Sequence, residues 1–452
     1  MIRSYLQSHK QLDAPSVPWV HARCRSRVSE PVIRKATVRR TFTLAACLLA
    51  GLMGACSHAD SQAAKVSADS ASATYQSHVE PKAPDSWSPK AAAAYMDQRE
   101  AWWMQWKGAA RDHQTFCVSC HTAVPYALSR PVLRKALNEE APSVNERALL
   151  DNVTKRVRLW KEMGPFYTDE DYGVHKAAES RGTEAVLNAL VLASYDAQSG
   201  TLSDNTRAAF DNMWALQQTA GEKKGAWPWL RFHLEPWEGL DSEYYGAALA
   251  AVAVGTAPGD YRATPEIQNN LTLLREYLGH DYKEQSLVNR VYLLWASTKL
   301  PGLLDAEQQK GIVTEVLAKQ RADGGWSLPT IARKWRGWGP RALAQLWLRS
   351  DWTLYDGESD GYATGLVTFV LQRSGLPSAN VSLQHGLSWL MLNQSAKEGL
   401  WPAYSLNERR NPASEIGRFM SDAATAYAVL ALSENSGAQQ RAAALAVDRP
   451  NK

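Results

Sequence analysis

Three stretches of this 452-residue chain end a helical segment in the same way, with a glutamine, a turn and then Gly-x-Trp. Gln320-Arg-Ala-Asp-Gly324-Gly-Trp326 is the tightest copy. Gln394 to Gly399-Leu-Trp401 carries one extra residue, and Gln218 to Gly225-Ala-Trp227 carries three. A second element recurs: a helix that opens on an acid and small residues, as in Gly182-Thr-Glu184-Ala, Asp241-Ser-Glu243-Tyr-Tyr-Gly246, Asp360-Gly-Tyr-Ala-Thr-Gly365 and Asp422-Ala-Ala-Thr-Ala-Tyr427. Residues 286–296 read as another such helix without the acid, and the segment through Tyr126 and Leu128 as a sixth. A helical hairpin cannot bury both faces alone, so successive hairpins must stack side by side on a shared core. The glycine permits a tight reversal after an outer helix. The tryptophan is placed to pack across the next hairpin, and Ala- and Gly-rich inner helices can approach closely around a common axis. Apolar residues keep helical spacing and no alternating strand pattern is present. The expected class is all-α.

The Gln-x-x-x-Gly-x-Trp turn resembles one that recurs in the terpenoid cyclase and protein prenyltransferase superfamily. The resemblance covers roughly residues 180–435 and implies an α/α toroid of hairpins in inner and outer rings. Pectate lyases on similar toroids also use Asp-Gly-Gly-Trp turns, so the likeness implies architecture and not chemistry. The family's chemistry does not carry over. Class II cyclases protonate with Asp-x-Asp-Asp, whereas Asp356-Gly-Glu358-Ser-Asp360 is spaced differently. Prenyltransferases hold zinc with Asp, Cys and His, and here no cysteine lies beyond Cys120.

Cys117-Val118-Ser119-Cys120-His121 is the strongest chemical motif in the chain. It resembles the attachment site of c-type cytochromes, in which two thiols at this spacing add across the vinyl groups of one haem and the histidine becomes the proximal iron ligand. A thioredoxin-like pair would want a βαβ setting, and a zinc site would want two more close ligands. The sixth iron ligand stays open. The candidates are His175, which is favoured for its Gly-containing loop ahead of a repeat helix, Met163 in Lys161-Glu-Met-Gly-Pro165, and His113. A five-coordinate iron, with a place for peroxide, oxygen or another small ligand, is the other option. Met104 reads as core. Trp102, Trp103, Trp106, Phe116 and Tyr126 are expected to wall the haem.

The leader explains the remaining cysteines. Arg39 and Arg40 precede an apolar run from Phe42 to Met53, too short for a permanent membrane span. Met53-Gly54-Ala55-Cys56 resembles a lipobox, with Cys56 lipidated at the mature N-terminus. Leu44-Ala45-Ala46-Cys47 fits that pattern but has almost no apolar run before it. The leader holds nine of the 50 basic residues and two of the 46 acids, so the mature chain has 41 against 44 and a net charge of −3. No electrostatic case for nucleic-acid binding remains. The regions are a signal at 1–56, a Ser/Ala-rich tether at 57–86, a haem-binding helical region at 87–180 and toroid repeats at 181–440. Order is expected to begin at Ser88-Pro89, a helix cap followed by proline at the first helical position.

These features together describe a periplasmic, lipid-anchored protein with haem c, working in electron transfer or haem-dependent oxidation with a redox partner protein or a small-molecule substrate. The alternative is a toroid lyase or hydrolase acting on a polysaccharide or lipid, with accessory haem and Asp241, Asp360 and Asp422 as catalytic candidates. A non-catalytic binding module is the third. Glu184, Glu243 and the three aspartates also suit the starts of helices, where an acid caps free N–H groups.

Overall fold

The structure, a computed structural model, describes residues 87–280, 282–333, 344 and 347–447. The leader, Cys56 and the tether lie outside the described residues. No described helix is long and apolar enough to cross a membrane.

The described chain is all-α apart from one two-stranded hairpin of two-residue strands. Helices come in pairs: α1 (Pro89–Gln105) and α2 (Ala123–Ala136), α3 (Val144–Arg158) and α4 (Lys176–Ser199), α5 (Asp204–Ala215) and α6 (Ser242–Thr256), α7 (Gln268–His280) and α8 (Leu287–Lys299), α9 (Ala306–Leu317) and α10 (Gly361–Arg373), α11 (Val381–Leu392) and α12 (Phe419–Val447). The even-numbered helices pack on one another in order, α2 on α4, then α6, α8, α10 and α12, and α12 packs back on α2. Of the odd-numbered helices, α1 and α3 pack on the even helix that follows, α5, α7 and α9 on the even helix that precedes, and α11 on both.

The local sequence explains both sets. Helices buried on every side must be apolar all round, and α6 is buried at nearly every position from Ser242 to Val254. The odd helices other than α7 begin with side-chain caps: Ser88, Ser143, Ser203, Asp305 and Asn380 each accept a backbone N–H of the first turn. Ser88 and Pro89 start α1 as the sequence leads one to expect.

The Gln…Gly-x-Trp turn works in two directions. Trp227, Trp326 and Trp401 are wholly buried, and each indole N–H reaches back to a carbonyl of the helix just ended: Met213 at 2.6 Å, Val316 at 2.8 Å and Leu390 at 2.7 Å. The glycines, at φ of 99°, 89° and 77°, lie so close to the next odd helix that a Cβ would meet the carbonyls of Leu273, His385 and Ala91. The glutamines also reach forward. Gln320 Nε2 donates to Gly324 O and to Ser382 O on α11, at 2.8 and 2.7 Å. In the most stretched copy Gln217 does this, not Gln218, donating to Gly225 O and to Asn270 O on α7, both at 3.0 Å. The longer turn shifts the register by one residue. In the last copy, Gln394 bridges Gly399 O and the backbone of Ser88, the cap of α1.

Candidate functional site

The Cys-x-x-Cys-His segment enters α2 from the short hairpin, Ala110–Arg111 paired with Thr115–Phe116. Three helices grip it. Asn152 on α3 accepts from Phe116 N at 2.9 Å and donates to Phe116 O at 3.1 Å. Trp103 on α1 donates its indole N–H to Cys117 O at 2.7 Å. Arg156 on α3 donates to Thr115 Oγ1 at 2.7 Å while paired with Glu184 on α4, both side chains fully buried. Glu184 therefore neutralises an arginine that holds the hairpin; it does not line an open site.

Ser119 caps the start of α2, its Oγ accepting Thr122 N at 3.2 Å and Ala123 N at 3.1 Å. Cys117 and Cys120 are both unpaired and buried. Burial pushes the Cys117 thiol up to about 11, and burial with nearby Glu238 raises Cys120 well above the ordinary thiol range. Both are neutral thiols at physiological pH.

His121 is half-buried. Its ring stacks on Phe419 with centroids 3.8 Å apart, meets the edge of Trp103 at 4.9 Å, and lies 6.0 Å from Trp237. Loss of solvation, then Arg99 and Arg410, hold it well below the usual histidine value, so the imidazole is neutral. Its Nδ1 lies 2.8 Å from Thr122 Oγ1, and Thr122 Oγ1 donates to Asp422 Oδ2 at 2.8 Å. Asp422 Oδ1 also accepts from Tyr95 OH at 2.6 Å and Arg99 Nε at 2.8 Å. His121 Nε2 has no hydrogen bond among the described residues. Two neutral thiols and a neutral imidazole with one open nitrogen, backed by a carboxylate, form a donor set chemically competent for a c-type haem.

The other candidates go elsewhere. His175 is exposed at the start of α4, in a left-handed backbone conformation at φ 72°. Met163 is buried after α3. His113 is exposed and faces Asp112 at 3.3 Å. None touches the His121 ring. Among the described residues no cluster of three or more His, Cys, Asp or Glu side chains is placed to hold a metal ion, so a zinc reading of the cysteines gains nothing.

The acids divide. Asp360 caps α10, accepting Ala363 N at 2.9 Å and also Leu328 N, and burial raises it to about 6. Asp241 lies at the N-cap position of α6, half-buried, and its carbonyl accepts from Asn289. Glu243 is half-buried near Lys223. Asp422, alone of the three catalytic candidates, lies against the cysteine–histidine segment.

Of the aromatic residues clustered in sequence around the motif, Trp102 and Trp106 pack on Phe419 beside His121. Trp103 does face His121, but Tyr126 donates to Asp97 at 2.6 Å instead. Phe419 and Trp237 take its place. Trp237 donates to Tyr362 OH at 3.1 Å, and Tyr292 OH lies 2.7 Å from both Tyr362 OH and Tyr427 OH, all deeply buried. Tyr292, Tyr362 and Tyr427 come from α8, α10 and α12, and Tyr245 on α6 packs edge-on against Tyr292. A tyrosine on each of four consecutive even helices was the available signal. Compared with protein-family models and with curated proteins, the chain has no significant match.

Proposed function

We propose that this chain is a haem c protein built on an α/α toroid, exported and tethered to the membrane through Cys56, and acting in electron transfer or haem-dependent oxidation. Cys117 and Cys120 hold the haem by thioether bonds and His121 Nε2 ligates the iron. Bound there, the haem supplies a one-electron redox centre. The observation that carries the reading is the pairing of two buried, unpaired thiols with a neutral histidine whose Nε2 is open, all in the five-residue segment that leads into α2.

The toroid reading rests on the cyclic order of the even helices and on the Gln394–Ser88 tie between the last turn and the first helix. Phe419, Trp103 and Trp237 shield the iron ligand from water. The lyase alternative loses support because the oxygens of Asp360 and Asp422 are already engaged by backbone and side-chain donors.

The test is the reduced-minus-oxidised visible spectrum of the full chain matured with haem-attachment machinery, repeated after acid–acetone extraction. A c-type α band that stays with the protein, and is lost in Cys117→Ala/Cys120→Ala, is expected. Properly matured protein without haem would overturn the reading. A spectral response to carbon monoxide reports an exchangeable position on the iron.

A further inference from the structure

We propose that Thr122 and Asp422 are positioning residues that fix His121 as the Nδ1–H tautomer and make it an electron-rich ligand, biasing the site toward oxidised iron. This rests on the haem reading above and goes beyond it by assigning what lies behind the ligand.

The argument is a count of protons. Asp422 accepts from Tyr95, Arg99 and Thr122 at 2.6, 2.8 and 2.8 Å. Three donors converging on one carboxyl, with the Arg99 guanidinium in contact, suit the ionised form, which can only accept. The single hydroxyl proton of Thr122 is therefore directed at Asp422. Its oxygen can then only accept from His121 Nδ1, 2.8 Å away, so Nδ1 carries the ring proton. Nε2 is left with a lone pair, as an iron ligand requires.

The local structure frees these groups for the task. Thr122 stands at the N-cap position of α2, where a threonine hydroxyl ordinarily accepts a backbone N–H, yet it makes no such bond. Ser119 covers this end of the helix instead, its Oγ accepting the N–H groups of Thr122 and Ala123 and its carbonyl that of Val124. Phe419 and Trp103 fix the plane of the imidazole. The titratable groups around Asp422 are Tyr95, Arg99 and the buried Glu100 from α1, and Glu415, which pairs with Arg99, from the segment before α12. A carboxylate two hydrogen bonds behind an imidazole raises its basicity as a metal ligand and stabilises the more positive oxidation state.

The experiment compares Thr122→Val with Thr122→Ser in haem-loaded full-length protein. Valine removes the relay while keeping the thioether attachments. It is expected to raise the midpoint potential, shifting the oxidised-to-reduced ratio at fixed potential by roughly tenfold, about 59 mV for a one-electron couple. The iron–histidine stretching band should fall in frequency, and serine should restore both. Asp422→Asn should move both readings the same way. Wild-type potentials and bands in both Thr122→Val and Asp422→Asn, with haem attached, would overturn the proposal. If no haem attaches, ¹⁵N NMR of the histidine-labelled haem-free chain still decides it. The Nδ1–H tautomer in wild type, lost in Thr122→Val, supports the relay, and an Nε2–H tautomer in wild type refutes it.

Discussion

Replacing Gln394 with alanine tests how the last hairpin is tied to the first helix. The side chain is 2% exposed. Its Nε2 donates to Gly399 O at 2.8 Å and Ser88 O at 3.1 Å, and its Oε1 accepts from Ser88 N at 2.6 Å. Alanine deletes three bonds and strands backbone groups in a turn and at a helix cap. At about 1 kcal/mol net per hydrogen bond the loss is about 3 kcal/mol. With an unfolding entropy of about 2 cal/mol/K per residue, that lowers Tm by roughly 4 °C in a body of this size. Guanidinium unfolding followed by tryptophan fluorescence is the assay. It reads this seam directly, because Trp401 lies 5.9 Å from Trp87, next to Ser88. Gln320→Ala is the control. It removes two bonds, both to neighbours nearer in the chain, and should cost about 2 kcal/mol. A loss below about 0.5 kcal/mol in Gln394→Ala, the size of an ordinary surface change, would refute the reasoning.

Two further outcomes follow from buried charges. Arg156→Met removes the fully buried partner of Glu184 and leaves it only the longer 3.8 Å pair with Arg181, at a cost of about 3 kcal/mol. Adding Glu184→Met should recover most of it, and a double variant no more stable than the single one would argue against the pairing. Glu100 is wholly buried with neither carboxylate oxygen hydrogen-bonded, and burial, then Asp422 and Asp97, raise it to about 8. For an acid whose folded pKa is raised, stability is full below the unfolded value, about 4.3, and falls as pH rises toward 8. Glu100→Gln should flatten that decline and be more stable than wild type at pH 8 while matching it near pH 4. Parallel Tm–pH curves for the two proteins would contradict this.

Much of the fold was legible because repetition is a local property. Gln320, Gly324 and Trp326 sit close together, so one copy of the turn is enough to reveal its conformation. The stretched copy misled by one residue, since Gln217 and Gln218 are equivalent in sequence and differ only in which faces α7. The tryptophans were expected to reach across the next hairpin. Two of the rings do so, Trp326 lying against Gly386 of α11 and Trp401 5.9 Å from Trp87, while all three N–H groups point back to carbonyls in the last turn of the helix just ended.

The sequence by itself determined the all-α class, the paired helices and the Cys117–Cys120–His121 triplet, all of which depend on spacing along the chain. Only the tertiary structure decided what surrounds that triplet. Asp422 read as the cap of a distant helix, yet it backs His121 through Thr122. Phe419 and Trp237, some 300 and 116 residues away, flank the His121 ring, while neighbouring Tyr126 turns aside to Asp97. The reason is physical: helix and turn formation follow from interactions within a few residues, whereas α12 comes to lie beside α2 only through packing between the two ends of the chain.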